Sequence, residues 1–110
     1  MLIVSEKSKL QEINFHDAEV AKIICDYYNG TVEMPIIMDD IGPYRYNALL
    51  KFENVVHVEV NRRKPWGPGI NIISLDIDSI EGALLKVEIV LSSGDEINIM
   101  ASIMIYSTED

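Results

Sequence analysis

The stretch NFHDAEV, residues 14–20, holds the side chains best suited to chemistry, because His16 and Asp17 stand next to each other with Glu19 nearby. An imidazole with neighbouring carboxylates can bind a metal ion or transfer protons. On a strand, however, the two carboxylates share one face and His16 points to the other. His57 is the only other histidine that could complete such a site. We therefore predict no metal site and a structural role for His16 and Asp17 at the start of the first strand, with a functional role as the alternative.

Cys25 and the serines are the possible nucleophiles. Cys25 lies in a predicted strand, with no glycine-rich turn or helix start nearby to activate its thiol. No serine lies in a G-x-S-x-G elbow. Neighbouring acids at Asp39-Asp40 and Asp95-Glu96 lie in predicted turns, where carboxylates are usually solvated. We predict that Cys25 is a small core residue, that the protein is not an enzyme, and that it needs no cofactor.

A different chemistry is concentrated in RRKPWGPG, residues 62–69, where Arg62, Arg63 and Lys64 precede Trp66, the only tryptophan. The prolines and glycines prevent a strand or helix from continuing, so this segment is expected to be an exposed connection. Because Trp and Arg concentrate binding energy when they are desolvated, these four residues are predicted to bind a partner. The alternative is local: Trp66 covers the open end of the core as a plug, and the cations relieve repulsion between acids.

The charge balance narrows the choice of partner. Eighteen acidic and nine basic residues produce a formal net charge of -9. The resulting field opposes docking on nucleic-acid phosphates or anionic lipids and favours a cationic protein. Asp76 and Asp78 are two apart in a predicted strand and share one face, so they are predicted to belong to the partner-binding surface.

The cellular compartment is predicted from the membrane-spanning, signal-peptide and cysteine patterns of the sequence. The longest near-continuous apolar run, residues 97–105, is about half of the roughly 20 residues that span a bilayer. The apolar residues at the N-terminus are too few for a signal peptide. A single cysteine fits a reducing compartment. We expect a cytoplasmic protein with no membrane contact.

The elements that must position these residues are predicted to be strands. A chain of 110 residues with 48% hydrophobic residues fits one domain, residues 1–110. Apolar and polar residues alternate with a period of two, which is typical of half-buried strands. Strands are predicted over residues 17–28, 32–38, 48–60, 73–78, 83–91 and 97–105. Short turns join them, so we predict an all-β domain of about six antiparallel strands, a meander curled into a sandwich or partly open barrel.

Local signals refine this plan. Asn29-Gly30 predicts a two-residue hairpin turn, and Pro35 predicts an edge strand or a bulge. Asn54 interrupts the inward-facing series of its strand and predicts a bulge or bend. The one helix that we allow is short, begins with Ser5 as its cap, and buries Leu10. Two strands joined by a turn at residues 92–95 are each predicted to have one apolar face toward the core: Ala83, Leu85, Val87, Ile89 and Leu91 in the first, and Ile97, Ile99, Ala101, Ile103 and Ile105 in the second.

NFHDAEV, the later LKFENVVHVEV, the WGPGI loop and the closing hairpin together resemble a group of small bacterial β-rich proteins that open with an (F/W)-H-D-(A/S) stretch. Some members are assigned as immunity proteins of polymorphic toxin systems. The resemblance implies a cytoplasmic, cofactor-free, single-domain protein that neutralises a toxin by covering its active site. His16 and Asp17 match the opening motif. The alternative function is binding of a small molecule at a barrel mouth, with contacts from Tyr44, Tyr46 and Trp66.

Overall fold

A computed structural model describes residues 1–63 and 69–109 of the chain. In these residues the chain forms a single short helix and eight strands, all paired antiparallel. The elements are β1 (Leu2–Val4), α1 (Lys7–Glu12), β2 (Glu19–Val20), β3 (Ile24–Asp26), β4 (Thr31–Ile41), β5 (Tyr44–Val60), β6 (Ile72–Ser79), β7 (Leu85–Leu91) and β8 (Glu96–Thr108). The sheet curls into an open half-barrel, which confirms the predicted all-β fold with at most one short helix.

The strand order is β2-β4-β5-β8-β7-β6, with β3 also paired to β4 and β1 also paired to β8. Four pairs of sequential strands form hairpins: β3 with β4, β4 with β5, β6 with β7 and β7 with β8. The chain leaves β5 and begins β6 at the far edge of the sheet, so the other neighbour of β5 is β8. The two edges meet where Glu19 of β2 bridges Asn71 just before β6, and backbone hydrogen bonds join residues 17–20 to residues 70–72 on both sides of this bridge. Together with the strand pairings, these contacts place the end of β5, the start of β6 and the β7–β8 turn at the same end of the half-barrel.

The core lies on the concave side of the sheet. In β4 each second residue is buried, which is the alternation expected of a strand with one covered face. The segment between β1 and β2 covers the concave side and contributes Leu10, Phe15 and Ala18, all buried. The ring of Phe15 packs edge-on against Tyr106, with ring centroids 5.6 Å apart. Three residues of a short N-terminal segment therefore close a core that is otherwise built from strands.

An irregularity in the middle of β5 and β8 changes which residues face the core. Asn54 has a positive φ of 54°, and its side-chain amide donates a hydrogen bond to Ser102 Oγ at 3.0 Å. The register between these strands shifts nearby, between Val55 and His57, as the Asn54 signal predicts. Beyond the irregularity the buried residues of β8 are Met104 and Tyr106. The prediction that the next two odd-numbered residues, 103 and 105, continue the buried face was therefore wrong.

The predicted strand over residues 17–28 is divided into β2 and β3, with residues 21–23 outside the ladder. Pro35 of β4 lies opposite this gap: its carbonyl accepts a hydrogen bond from the Ala21 N–H at 3.0 Å. In an antiparallel ladder the nitrogen and carbonyl of one residue face the same side, so the nitrogen without a hydrogen also faces the gap. β4 is thus an inner strand that tolerates proline because its neighbour is interrupted there, and the prediction of an edge strand or a bulge at Pro35 was wrong.

Four local expectations were wrong. Asp26 pairs with Thr31, so the hairpin loop has four residues, 27–30, and Asn29 hydrogen-bonds the Asp26 carboxylate instead of forming a two-residue turn. Ser5 does not cap α1; its hydroxyl accepts a hydrogen bond from the Met104 N–H at 3.1 Å, with Glu6 as the N-cap residue. Cys25 is exposed because β3 is a short strand at the sheet edge. Ala83 lies before β7 and is exposed.

Candidate functional site

The open end of the half-barrel contains a depression of about 250 Å³, which we call the mouth cavity. The β2–β3 connection, the end of β5, the start of β6 and the β7–β8 hairpin all contribute to it. Its apolar lining consists of Val20, Ala21, Ile23, Val60, Ile70, Leu91 and Ile97, and its polar lining includes Asn61, Ser93 and Asp95. Its cationic rim consists of Lys22, Arg62 and Arg63. The structure therefore places two of the predicted binding residues at the border of an apolar cavity.

A buried carboxylate holds this end of the molecule together. Asp95, in the β7–β8 turn, is only 6% exposed. Its Oδ1 accepts a hydrogen bond from the Arg63 N–H at 3.0 Å, and its Oδ2 accepts one from Ser93 Oγ at 3.0 Å. Next to it, the Asn61 N–H donates to the Glu96 carbonyl at 3.0 Å. The backbone that carries Arg62 and Arg63 is therefore fixed against the turn, and the prediction of a solvated Asp95 was wrong.

Gly69, at the other side of the cavity, also lies against this turn. A Cβ atom at residue 69 would be 2.3 Å from the backbone nitrogen of Ser93. No side chain fits at that distance, so glycine is required for the chain to pass so close to the turn. The segment before β6 can therefore approach the β7–β8 turn and complete the rim.

The cations of the rim differ from most others in the protein. The chain has nine lysines and arginines, of which all but Lys64 lie in the described residues. Salt bridges form at Lys9, Arg45, Lys51 and Lys86. Within the described part of the chain, Lys22, Arg62, Arg63 and Lys7 have no such partner, and three of these four line the mouth cavity. Among the described residues, most of the cations without a salt bridge therefore lie around the mouth cavity.

Asp76 and Asp78 lie elsewhere, on β6 at the edge of the sheet. With Glu88 they line a depression of about 430 Å³ between α1 and β6, which we call the acidic groove. Its apolar part includes Ile13 and Leu75, both partly buried against the core. Glu88 pairs with Lys86 at 3.6 Å, whereas the two aspartates form no salt bridge with any described residue. The predicted binding residues therefore belong to two surfaces of opposite charge.

His16 and Asp17 form an exposed pair, with His16 Nδ1 at 3.2 Å from Asp17 Oδ2. Asp17 has a φ of 71°, its N–H donates to the Ile72 carbonyl at 2.8 Å, and its carbonyl accepts from the Asn71 side chain at 3.1 Å. The neighbours Phe15 and Ala18 are buried. These contacts favour the structural interpretation, because the pair forms a tight corner that lets Phe15 and Ala18 enter the core. The hydrogen bonds to residues 71 and 72 are made by the backbone of Asp17 and not by its side chain.

Two further predicted residues, Trp66 and Lys64, lie outside the described residues, so their roles stay predictions. Tyr44 and Tyr46 are at the opposite end of β5 from Arg62 and do not line the mouth cavity. Tyr46 donates a hydrogen bond to Asp40 Oδ1 at 2.7 Å. Burial raises the pKa of the Tyr46 hydroxyl above its usual range, and the bond to Asp40 adds to the effect.

Sequence reasoning missed Asp95 and Lys22. A buried aspartate in a turn has the same sequence signal as a solvated one, and Lys22 follows a short strand without any motif. Among residues 1–63 and 69–109, no group of three or more His, Cys, Asp and Glu side chains is arranged to hold a metal ion. Within the same ranges, no helix has the length and apolar character needed to cross a membrane.

No protein-family model matches the sequence, and neither a curated protein nor a solved structure matches it significantly. The class of protein is therefore defined by the fold alone, as an antiparallel all-β half-barrel with one short helix.

Proposed function

We propose that the protein is a non-enzymatic binding module whose partner is a cationic protein domain, and that the partner docks at the acidic groove. The resemblance in sequence adds that the partner is a toxin domain, neutralised when its active surface is covered. The observation that carries the proposal is the pair of uncompensated carboxylates, Asp76 and Asp78, beside an apolar strip at a sheet edge.

The geometry of the groove supports docking of a folded partner. Asp76 and Asp78 face outward on β6, since the alternate residues Leu75 and Ile77 face the core. Exposed aspartates can form charge-assisted hydrogen bonds with arginine or lysine side chains of a partner. The partly buried Ile13 and Leu75 supply apolar surface beside them, which is the combination of anchor and polar rim found in protein interfaces.

The overall charge supports fast association with a basic partner. A formal net charge of -9 on 110 residues attracts positive proteins over distances of about one Debye length, roughly 8 Å at physiological salt. Edge aspartates also have a purely structural explanation, because charges on an edge strand prevent pairing with other sheets. The two explanations differ in what neutralisation of the charges does to binding.

The test compares two double variants of equal net charge. Asp76→Asn/Asp78→Asn and the control Asp39→Asn/Glu109→Gln each change the net charge from -9 to -7, and all four residues are exposed. Each protein is immobilised and exposed to an extract of the source organism, captured proteins are identified by mass spectrometry, and the binding rate of the purified partner is measured. We expect one basic protein to bind both the wild type and the control variant. At low salt this protein should associate at least about tenfold more slowly with Asp76→Asn/Asp78→Asn.

Equal association rates for the two variants would assign the partner to another surface. A partner of acidic pI would contradict the proposal directly. Both variants should keep the unfolding free energy of the wild type within about 0.5 kcal/mol, because surface substitutions of this kind have small effects.

A further inference from the structure

We infer that the mouth cavity is a binding site for a small amphipathic carboxylate, with the apolar part of the ligand in the cavity and its carboxylate between Arg62, Arg63 and Lys22. This inference is independent of the proposed docking at the acidic groove. It rests on three observations: the apolar lining, the group of cations that form no salt bridge with any described residue, and the hydrogen-bonded backbone that carries the arginines.

The lining determines the apolar half of the ligand. Ile97 and Val20 belong to the buried core, so the floor of the cavity is formed by core residues, whereas Val60 and Ile70 are more exposed at its edge. A volume of about 250 Å³ is below the roughly 300–1,000 Å³ of pockets for drug-sized ligands. A short alkyl chain or a single ring therefore fits better than a nucleotide or a large cofactor.

The rim determines the charged half. Arg62, Arg63 and Lys22 form no salt bridge with any described residue, although the chain has twice as many acidic as basic residues. Arginine binds carboxylates through two parallel hydrogen bonds and is less strongly hydrated than lysine, so it pairs well with an anion at the border of an apolar cavity. An anion with an apolar body satisfies both parts of the site at once.

Asp95 lines the cavity itself and Glu19 lies next to it, but both side chains are already engaged. Both carboxylate oxygens of Asp95 accept hydrogen bonds, one from the Arg63 N–H and one from Ser93. Glu19, next to Val20, pairs with Arg45 at 2.6 Å. These carboxylates therefore do not occupy the guanidinium groups of the rim. The bond from Asp95 to the Arg63 N–H also orders the backbone before any ligand binds, which lowers the entropic cost of binding.

The inference is tested with octanoate by isothermal titration calorimetry, beside octanol, octyltrimethylammonium and inorganic phosphate. We expect saturable 1:1 binding of octanoate, binding of octanol and phosphate that is at least about tenfold weaker, and no binding of octyltrimethylammonium. The factor of ten corresponds to the loss of a charge-assisted contact of about 1.4 kcal/mol. If octanol bound as tightly as octanoate, the cavity would recognise only apolar groups, and if phosphate bound as tightly, the rim would be a simple anion site. Either result would overturn the inference.

Matched variants assign the site. Arg62→Gln/Arg63→Gln should weaken octanoate binding at least about tenfold, whereas Lys7→Gln/Lys9→Gln, which also changes the net charge from -9 to -11, should leave it unchanged. The backbone bond from residue 63 to Asp95 persists in the first variant. Ala21→Trp, at an exposed position of the lining, should block the cavity without a loss of stability. Binding that survives both Arg62→Gln/Arg63→Gln and Ala21→Trp would refute the assignment.

Discussion

Replacing Asp95 by alanine should destabilise the protein far more than replacement of any exposed aspartate. The carboxylate is 6% exposed and accepts hydrogen bonds from the Arg63 N–H and from Ser93 Oγ, both at 3.0 Å. Hydrogen bonds to charged groups contribute about 1.5–3 kcal/mol each, and removal of the acceptor leaves the Arg63 N–H without its partner. Since the two bonds share one acceptor group, we expect a loss of about 2–4 kcal/mol in the free energy of unfolding for Asp95→Ala.

Asp95→Asn separates hydrogen bonding from charge. The asparagine side-chain oxygen can still accept from the Arg63 N–H, and its amide can donate to the Ser93 hydroxyl, so we expect a loss of about 1 kcal/mol or less. Asp39→Ala is the matched control, because Asp39 is exposed and its loss should cost no more than about 0.5 kcal/mol.

Urea unfolding followed by circular dichroism measures all three variants. With a slope of about 2 kcal/mol per M, Asp95→Ala should lower the midpoint by roughly 1–2 M, whereas the control midpoint stays close to wild type. The reasoning is refuted if Asp95→Ala unfolds within about 0.5 kcal/mol of wild type, because Asp95 would then have no role in joining the turn to the end of β5.

Three further outcomes test other parts of the structure. Asn54→Gly should be about 1 kcal/mol less destabilising than Asn54→Ala, because glycine adopts a φ of 54° without strain and alanine does not. Equal losses of unfolding free energy in urea would argue against that backbone conformation. The Asn29 side-chain amide hydrogen-bonds the Asp26 carboxylate and lowers the pKa of Asp26. The stability from this bond is therefore present above the ordinary carboxyl pKa and is lost as the pH falls through the lowered pKa of Asp26. Asn29→Ala should raise the pKa of Asp26 toward 3.8 in an NMR titration, and an unchanged pKa would show that Asn29 is not the cause. Phe15→Ala should cost about 3–5 kcal/mol by thermal or urea unfolding, and His16→Ala less than about 0.5 kcal/mol; a large effect at His16 would contradict the structural account of the corner.

The strands could be predicted because each half-covered sheet face imposes a period of two on the sequence. β4 shows this most clearly, with residues 32, 34, 36 and 38 all buried. The change of inward face in β8 could not be predicted, because both the even and the odd positions after Ala101 include large apolar residues. The irregularity is marked by the hydrogen bond between Asn54 and Ser102, which are 48 residues apart in the sequence. Local periodicity contains no record of such a pairing.

The candidate sites were predictable only as separate residues. Arg62 and Arg63 could be placed at an exposed strand end from the prolines and glycines that follow them. Their neighbours in the mouth cavity, such as Lys22 and Ile97, come from elements that meet only through the strand order. Asp76 and Asp78 were correctly placed on one outward face of a strand, but the groove beside them depends on how α1 lies against β6.

The cations of the mouth cavity separate a general electrostatic role from a specific one. If Arg62 and Arg63 served only to relieve repulsion among the acids, Arg62→Gln/Arg63→Gln and Lys7→Gln/Lys9→Gln would destabilise the protein equally, since each removes two positive charges. The lysine variant also loses the salt bridge between Lys9 and Glu6, so charge relief alone predicts at least as large a loss for it in unfolding experiments. A specific binding role adds a result that charge relief does not predict: octanoate stabilises the wild type and the lysine variant, and this stabilisation is lost in the arginine variant. Stabilisation by octanoate that is the same in both variants would contradict the role assigned to the rim.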